Sequence, residues 1–322
     1  MRKILILTSA LVGLLFGSTD GFGPVLSLSE GKVRWGTPVK LQPLYDMLLT
    51  TAEEKGFWKE QGLEVEWTAF EAGATLRRAV SAGAIDMGIS ATTSTVFGIA
   101  SRPEEIIVGE LGSREDYVIY VRSDSPIKGP QDFKGMRVGV TRLGGLYHIY
   151  SQAIAKKLGI EMKYQGIGGH HSQLAAVKGG LIDAILISKA GASPMLLKKE
   201  IRPVALVRDY LPPEWSDQVF YARRDYVDKS PDSITKGIKA AFRAADYLLK
   251  NRAWAVQRIK SLYGFSEEDA SWVFDNTLNY GQDGKISPKA LENVLNFQVE
   301  YGIIPKDKVP PLQLLFTTRF TE

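Results

Sequence analysis

Hydrophobic and polar positions follow two rhythms along this chain. At 32–35 (KVRW) and 63–70 (LEVEWTAF) they alternate, the period-two signature of a strand with one buried face. Between them, 44–52 (LYDMLLTTA) repeats at helical spacing, with Pro43 near its start and Gly56 at its stop. The cycle continues with a loop at 71–74 and a helix to Ala82 that Thr75 is placed to cap. A short apolar strand at 87–90, a helix opening at Thr92 and a strand at 105–111 follow. A second cycle opens with a strand at 116–122 (DYVIYVR) and a turn-rich stretch at 123–135. It proceeds through strand 136–141, helix 146–158, strand 161–166, helix 172–178 and strands 184–188 and 204–207. Strands and helices alternating at these lengths predict parallel sheets, one per half. One more strand fits 219–222, and beyond Pro231 the pattern is helical at 231–249, 253–263, 266–276 and 287–301.

The two cycles share text. At a fixed offset of 97, 62–86 lies over 159–183 without a gap, and seven of the pairs are identical. The match is densest where Gly83-x-Ile85-Asp86 meets Gly180-x-Ile182-Asp183. A repeat of this length implies two copies of one strand–loop–helix–turn–strand unit. Its glycines end helices and its isoleucines pack. Asp86 and Asp183 are expected to hold turns ahead of inner strands, since Asp favours turns. In each copy a helix starts just beyond a sheet's carboxyl edge, where unpaired N–H groups face outward and favour an anion.

Composition narrows the chemistry. A chain of 322 residues with 44% hydrophobic and 24% charged residues is long enough for two lobes. Cysteine is absent, which excludes disulfides, thiolate nucleophiles, zinc–thiolate sites and iron–sulfur clusters. The net charge of +4 is dispersed and forms no nucleic-acid stripe. Arg2-Lys3 followed by the apolar run 4–16 (ILILTSALVGLLF) is too short to span a bilayer and fits a signal peptide, here placed at 1–29. Without cysteine there is no lipobox, so an exported, periplasmic protein without a lipid anchor is expected. No GxGxxG, Walker A, HExxH or GxSxG is present, so no catalytic residue is assigned. His170-His171 are consecutive and converge poorly on one ion, so neither a metal nor a cofactor is expected.

Four segments in order, 52–67 (AEEKGFWKEQGLEVEW), 81–90 (SAGAIDMGIS), 121–140 (VRSDSPIKGPQDFKGMRVGV) and 178–188 (KGGLIDAILIS), carry a resemblance. Over about 32–225 the chain resembles the SsuA/THI5-like (NMT1-like) solute-binding proteins of ABC importers. The resemblance implies an α/β fold of the type II periplasmic-binding-protein kind, with a ligand cleft between two lobes. Lobe one would hold 30–122 plus 218–322, with the C-terminal helices packed on it. Lobe two would hold 123–217, and hinges would lie near 121–123 and 217–220. The implied function is capture of a small, anionic solute (a sulfonate, taurine, nitrate or organic acid) by hinge closure. The implied partners are an ABC permease and its ATPase subunits, and the protein is expected to be a monomer. Alternatives are binding of a thiamine-pyrimidine precursor, a THI5-like synthase, or a ligand-sensing subunit. The synthase uses a cysteine-rich motif that this chain cannot supply.

That geometry nominates ligand positions. In lobe one they are Gln42, Tyr45, Gly73, Thr75, Thr92, Thr93, Ser113 and Arg114. In lobe two they are Arg142, Gly144, Gly145, His170, His171 and Ser188. Glycines let backbone N–H groups approach an oxyanion, hydroxyls add directional bonds, and Arg offers a planar fork. Tyr45 reads more readily as core than as a stacking platform. One departure stands out: the family often places an aromatic and a proline just after the second lobe's inner strand. Here the text is Ser188-Lys189-Ala190-Gly191, with Pro194 later.

Overall fold

The computed structural model describes residues 32–39, 42–70, 73–112 and 117–321. The expected leader at 1–29, and the candidate ligand residues Ser113 and Arg114, lie outside the described residues. The chain runs β1 (Lys32–Thr37), α1 (Pro43–Glu54), α2 (Phe57–Glu60), β2 (Glu64–Ala69), α3 (Gly73–Ser81), β3 (Met87–Ala91), α4 (Thr92–Ser101) and β4 (Glu105–Glu110). It continues with β5 (Tyr117–Arg122), β6 (Arg137–Val140), α5 (Leu146–Leu158), β7 (Lys163–Gly166), α6 (His170–Lys178), β8 (Ala184–Ser188), α7 (Lys189–Leu197) and β9 (Ile201–Leu206). It ends with β10 (Gln218–Arg223), α8 (Arg224–Lys229), α9 (Pro231–Lys250), α10 (Arg252–Tyr263), α11 (Glu267–Thr277) and α12 (Pro288–Glu300).

Two five-stranded sheets result, ordered β2-β1-β3-β10-β4 and β7-β6-β8-β5-β9. Position by position they are the same sheet. β1 pairs in parallel with β2 and β3, as β6 does with β7 and β8. The fourth strand of each sheet is antiparallel to both neighbours, and each carries an irregularity, between Phe220 and Tyr221 in β10 and between Ile119 and Tyr120 in β5. The expectation of purely parallel sheets is therefore corrected to mixed ones. A strand entering directly from the other half, with no crossover helix to turn it round, arrives antiparallel.

The sheet pairing also corrects the lobe boundary drawn at 122. Tyr117–Arg122 bonds to β8 and β9, so it belongs to the second sheet. Val121 and Arg122 lie within β5, and Gln218–Phe220 within β10, where ladder bonds fix the backbone. The chain instead changes sheets between Glu110 and Tyr117, and returns between Tyr210 and Gln218.

Each copy of the repeat closes on its own sheet. Asp86 accepts from the Arg34 backbone N–H at 2.8 Å, from Nε at 3.0 Å and from Nη2 at 2.6 Å. Asp183 receives the same three bonds from Arg137, at 2.8, 3.0 and 2.6 Å. The aspartates thus fasten the turn before β3 or β8 to the first strand of the unit. In the first half's core, Trp35 packs on Trp58 (centroids 5.1 Å apart) and Phe220 (5.9 Å), under the alanine stripe Ala240, Ala241, Ala244 and Ala245 of α9. The second core gathers Val138, Ile154 and Leu186.

The C-terminal helices were expected on the first half alone, and α12 departs from that. Its Leu291 and Val294 pack with Val96 and Ile107 of the first half. Its Phe297 meets Tyr150 of the second half and Trp215 at centroid distances of 6.1 and 5.2 Å. One helix contributes to both halves because its apolar stripe is wide enough to be buried on two sides.

Candidate functional site

Strand β3 is third in the first sheet and β6 second in the other, and each is followed by a helix at its carboxyl end. α4 begins at Thr92, directly after β3, and α5 begins at Leu146 after the loop Thr141–Gly145. The first turns of these helices and the C-terminal end of α12 enclose a cavity of about 420 Å³. Thr93, Ser94 and Phe97 line it from α4, while Arg142, Gly144, Gly145 and His148 line it from the loop and α5. Phe297, Gln298, Tyr301 and Ile303 complete the wall.

The polar groups around the cavity are held from behind. Gln298, almost fully buried, donates through Nε2 to the Thr93 carbonyl at 3.0 Å, tying α12 to the first turn of α4. The Thr93 hydroxyl is buried and has no hydrogen-bond partner among the described residues. Arg142 is exposed on its loop and forms no ion pair among the described residues. Gly144 takes a left-handed conformation (φ +74°), which a side chain would strain. At Gly145, the residue before the first turn of α5, a Cβ would be tight, 3.0 Å from Arg142 Cγ and 3.2 Å from the Arg142 carbonyl oxygen, so the Arg142 loop would have to give slightly. The Gly144 N–H donates to His148 Nδ1 at 2.9 Å, closing the loop onto the helix. Burial holds the His148 pKa below that of an ordinary histidine.

Four nominated residues, Thr93, Arg142, Gly144 and Gly145, therefore meet around one cavity. The others go elsewhere. Gln42 and Tyr45 are buried, and the Tyr45 hydroxyl donates to Gln218 Oε1 at 2.7 Å. Thr92 is fully buried; its hydroxyl shares a 2.9 Å hydrogen bond with Ser216, and its N–H donates to the Asp217 carbonyl. Tyr45 and Thr92 thus anchor the returning segment rather than line the cavity. Thr92 opens α4 and does not cap it. The capping position is Ala91, because the helix starts one residue earlier than a threonine cap requires. Likewise α3 starts at Gly73, so Thr75 falls inside its first turn and accepts from Arg78 Nη2 at 3.3 Å. Gly73 itself stands beside Ser90, at the end of β3.

His170, Ser188 and their surroundings form a separate group in the second half. The His170 ring stacks on Tyr147, with Nε2 2.9 Å from its hydroxyl, and His171 is exposed. Burial, aided by the charge of His171, lowers the His170 pKa. Ser188 caps α7, accepting from the Gly191 N–H at 3.2 Å.

Sequence reasoning missed Phe97, His148, Gln298 and Tyr301. Only a long-range contact reveals the α12 residues, since nothing near 298 signals proximity to 93. His148 was visible as a polar residue in the first turn of a helix that follows a glycine pair.

Comparison with known proteins gives this geometry a context. The chain is 26% identical over 194 residues to an Escherichia coli (strain K12) protein named for binding aliphatic sulfonates, covering 59% of each chain. It thus spans about 59% of the length of that relative. It is 23% identical over 303 residues to the 4-amino-5-hydroxymethyl-2-methylpyrimidine phosphate synthase of Aspergillus parasiticus, covering 88% of this chain and 86% of that one. Among solved structures, the periplasmic aliphatic sulphonate binding protein SsuA from Escherichia coli superposes with a TM-score of 0.75 at 18% identity. That superposition covers 90% of this chain and 92% of that one, and establishes a shared fold. The model of the NMT1/THI5-like family matches residues 45–255, well over half of the sequence, and the chain belongs to that family.

Proposed function

We propose that this protein is the extracytoplasmic solute-binding component of an ABC importer, capturing a small organic anion between two lobes built on the two sheets. The observation that carries the reading is the cavity at the starts of α4 and α5, whose lining combines Arg142 and Thr93 with apolar Phe97, Ile149 and Ile303. A guanidinium and a buried hydroxyl suit an oxyanion head, and the apolar walls suit a short hydrocarbon tail. The sulfonate-binding relative and the shared fold with SsuA support the same class of solute. Micromolar capture needs about −8 kcal/mol, within reach of a few charge-assisted hydrogen bonds in a closed cleft. The protein acts as a monomer, without catalysis, and hands its solute to a permease driven by ATPase subunits.

A thermal-shift panel of alkanesulfonates, taurine, nitrate, carboxylates and pyrimidines tests this. A cognate solute raises the melting temperature because it binds only the folded form. Arg142→Gln is expected to weaken that solute about tenfold to a hundredfold, the worth of a hydrogen bond to a charged group. A panel with no shift for any compound defeats the proposal. A shift with pyrimidines alone favours the second reading, to which the synthase relative points.

A further inference from the structure

His148 occupies the third position of α5, where its ring is hydrogen-bonded on one side and bounded by the cavity on another. The bonded side fixes its chemistry. A backbone N–H can only donate, so Nδ1, 2.9 Å from the Gly144 nitrogen, must be the acceptor and carry no proton. In a neutral imidazole the proton then resides on Nε2. The ring is steadied by Tyr164, whose plane meets it edge-on at 81° with centroids 4.6 Å apart. Nε2 has no hydrogen-bond partner among the described residues. His148 shares the cavity with Arg142, six positions earlier in the chain, so a donor of fixed polarity and a cation line one cavity.

We propose that His148 is a ligand-binding residue of this cavity, a neutral hydrogen-bond donor whose Nε2–H is preset by the Gly144 N–H···Nδ1 bond. This deepens the function proposed above and rests on it. The solute it selects bears a second acceptor within reach of the oxyanion gripped by Arg142, such as another sulfonate oxygen or a hydroxyl, ether or carbonyl oxygen. A purely cationic or donor-only group at that place is rejected, because both Arg142 and Nε2–H donate.

Two measurements decide it. The first needs no solute: long-range proton–nitrogen correlation on ring-labelled protein, with the three histidines assigned by substitution, reads the tautomer directly. An Nε2–H tautomer for His148 at neutral pH is expected, and an Nδ1–H or doubly protonated ring overturns the inference. The second titrates 1-butanesulfonate into wild type, His148→Asn, His148→Gln and Arg142→Gln. Asparagine keeps an acceptor near Nδ1 for Gly144 but loses the distal donor, so it is expected to bind about tenfold more weakly. Glutamine keeps an N–H at the distal position and is expected to recover most of that loss. If Arg142→Gln weakens binding while His148→Asn matches wild type, the donor role fails and the proposed function stands. If wild type binds no alkanesulfonate, that solute class fails, and the donor role with it.

Discussion

At the scale of single residues, the least comfortable group in the first half is Asp46. It lies in the first turn of α1, almost fully buried, with Oδ2 accepting from the Tyr263 hydroxyl at 2.8 Å and Oδ1 without a partner among the described residues. Burial raises its pKa to about 6, against the opposing effect of the Tyr263 hydrogen bond. The folded chain therefore holds this proton more tightly than the unfolded chain does. Its stabilising contribution is complete at pH values below the unfolded carboxyl pKa and is lost as pH rises through about 6. Asp46→Asn removes the ionisation while keeping an acceptor for Tyr263. It is expected to stabilise the protein at pH 7.5 by roughly 2 kcal/mol, with the gain shrinking toward pH 4. Urea unfolding of both proteins across that range checks the sign. A gain that grows as pH falls would contradict the burial argument. Nothing in the local sequence flagged Asp46, because an acidic residue in a first helical turn is ordinary, and its discomfort comes from Tyr263, 217 positions away.

At the scale of elements, the repeat made one feature legible and concealed its counterpart. The shared Gly-x-Ile-Asp located the turn before β3 and β8 and assigned both aspartates a structural task. The arginines that complete the clamp stayed hidden because the copies differ in length. Arg34 precedes Asp86 by 52 positions, whereas Arg137 precedes Asp183 by 46. An alignment at one fixed offset cannot pair both ends. The strand and helix rhythm was equally readable, while the direction of β5 and β10 was not, since orientation depends on which half a strand joins. The duplicate clamps differ in burial and should differ in worth. The Asp86 side chain is 1% exposed, against 32% for Asp183. Asp86→Ala strands a partly buried guanidinium and is expected to cost about 3 kcal/mol. Asp183→Ala leaves Arg137 in water and is expected to cost several-fold less, with a stronger salt dependence. Denaturant midpoints of the two variants measure the difference, and equal losses would argue against burial as the controlling variable.

At the scale of the whole molecule, the two halves touch at points other than the candidate cavity. Lys189 opens α7 of the second half, and its Nζ donates at 2.8 Å to Asn276 of α11, a helix whose Ala270, Val273 and Phe274 belong to the first half's core. The same ammonium lies 5.6 Å from the ring centroid of Trp272. A cation at a helix start opposes the helix dipole, so the position is locally unfavourable and gains only from what it reaches. What it reaches is neutral and aromatic and sits on the other half, which makes the contact a link between halves. Separately, Phe297 and the Lys156–Glu300 ion pair join α12 to α5, so removing one link leaves a second. Lys189→Met keeps the apolar stem but loses both the hydrogen bond and the cation–π contact. In solute-free solution it is expected to shift the population toward a more open form, seen as a larger radius of gyration in X-ray scattering, with unfolding stability nearly unchanged. Asn276→Ala should reproduce the shift, and the double variant should add little, because both act through one contact. An unchanged radius in both single variants would show that the links through α12 set the separation alone. In that case Phe297→Ala, and not Lys189→Met, would be the substitution that opens the molecule.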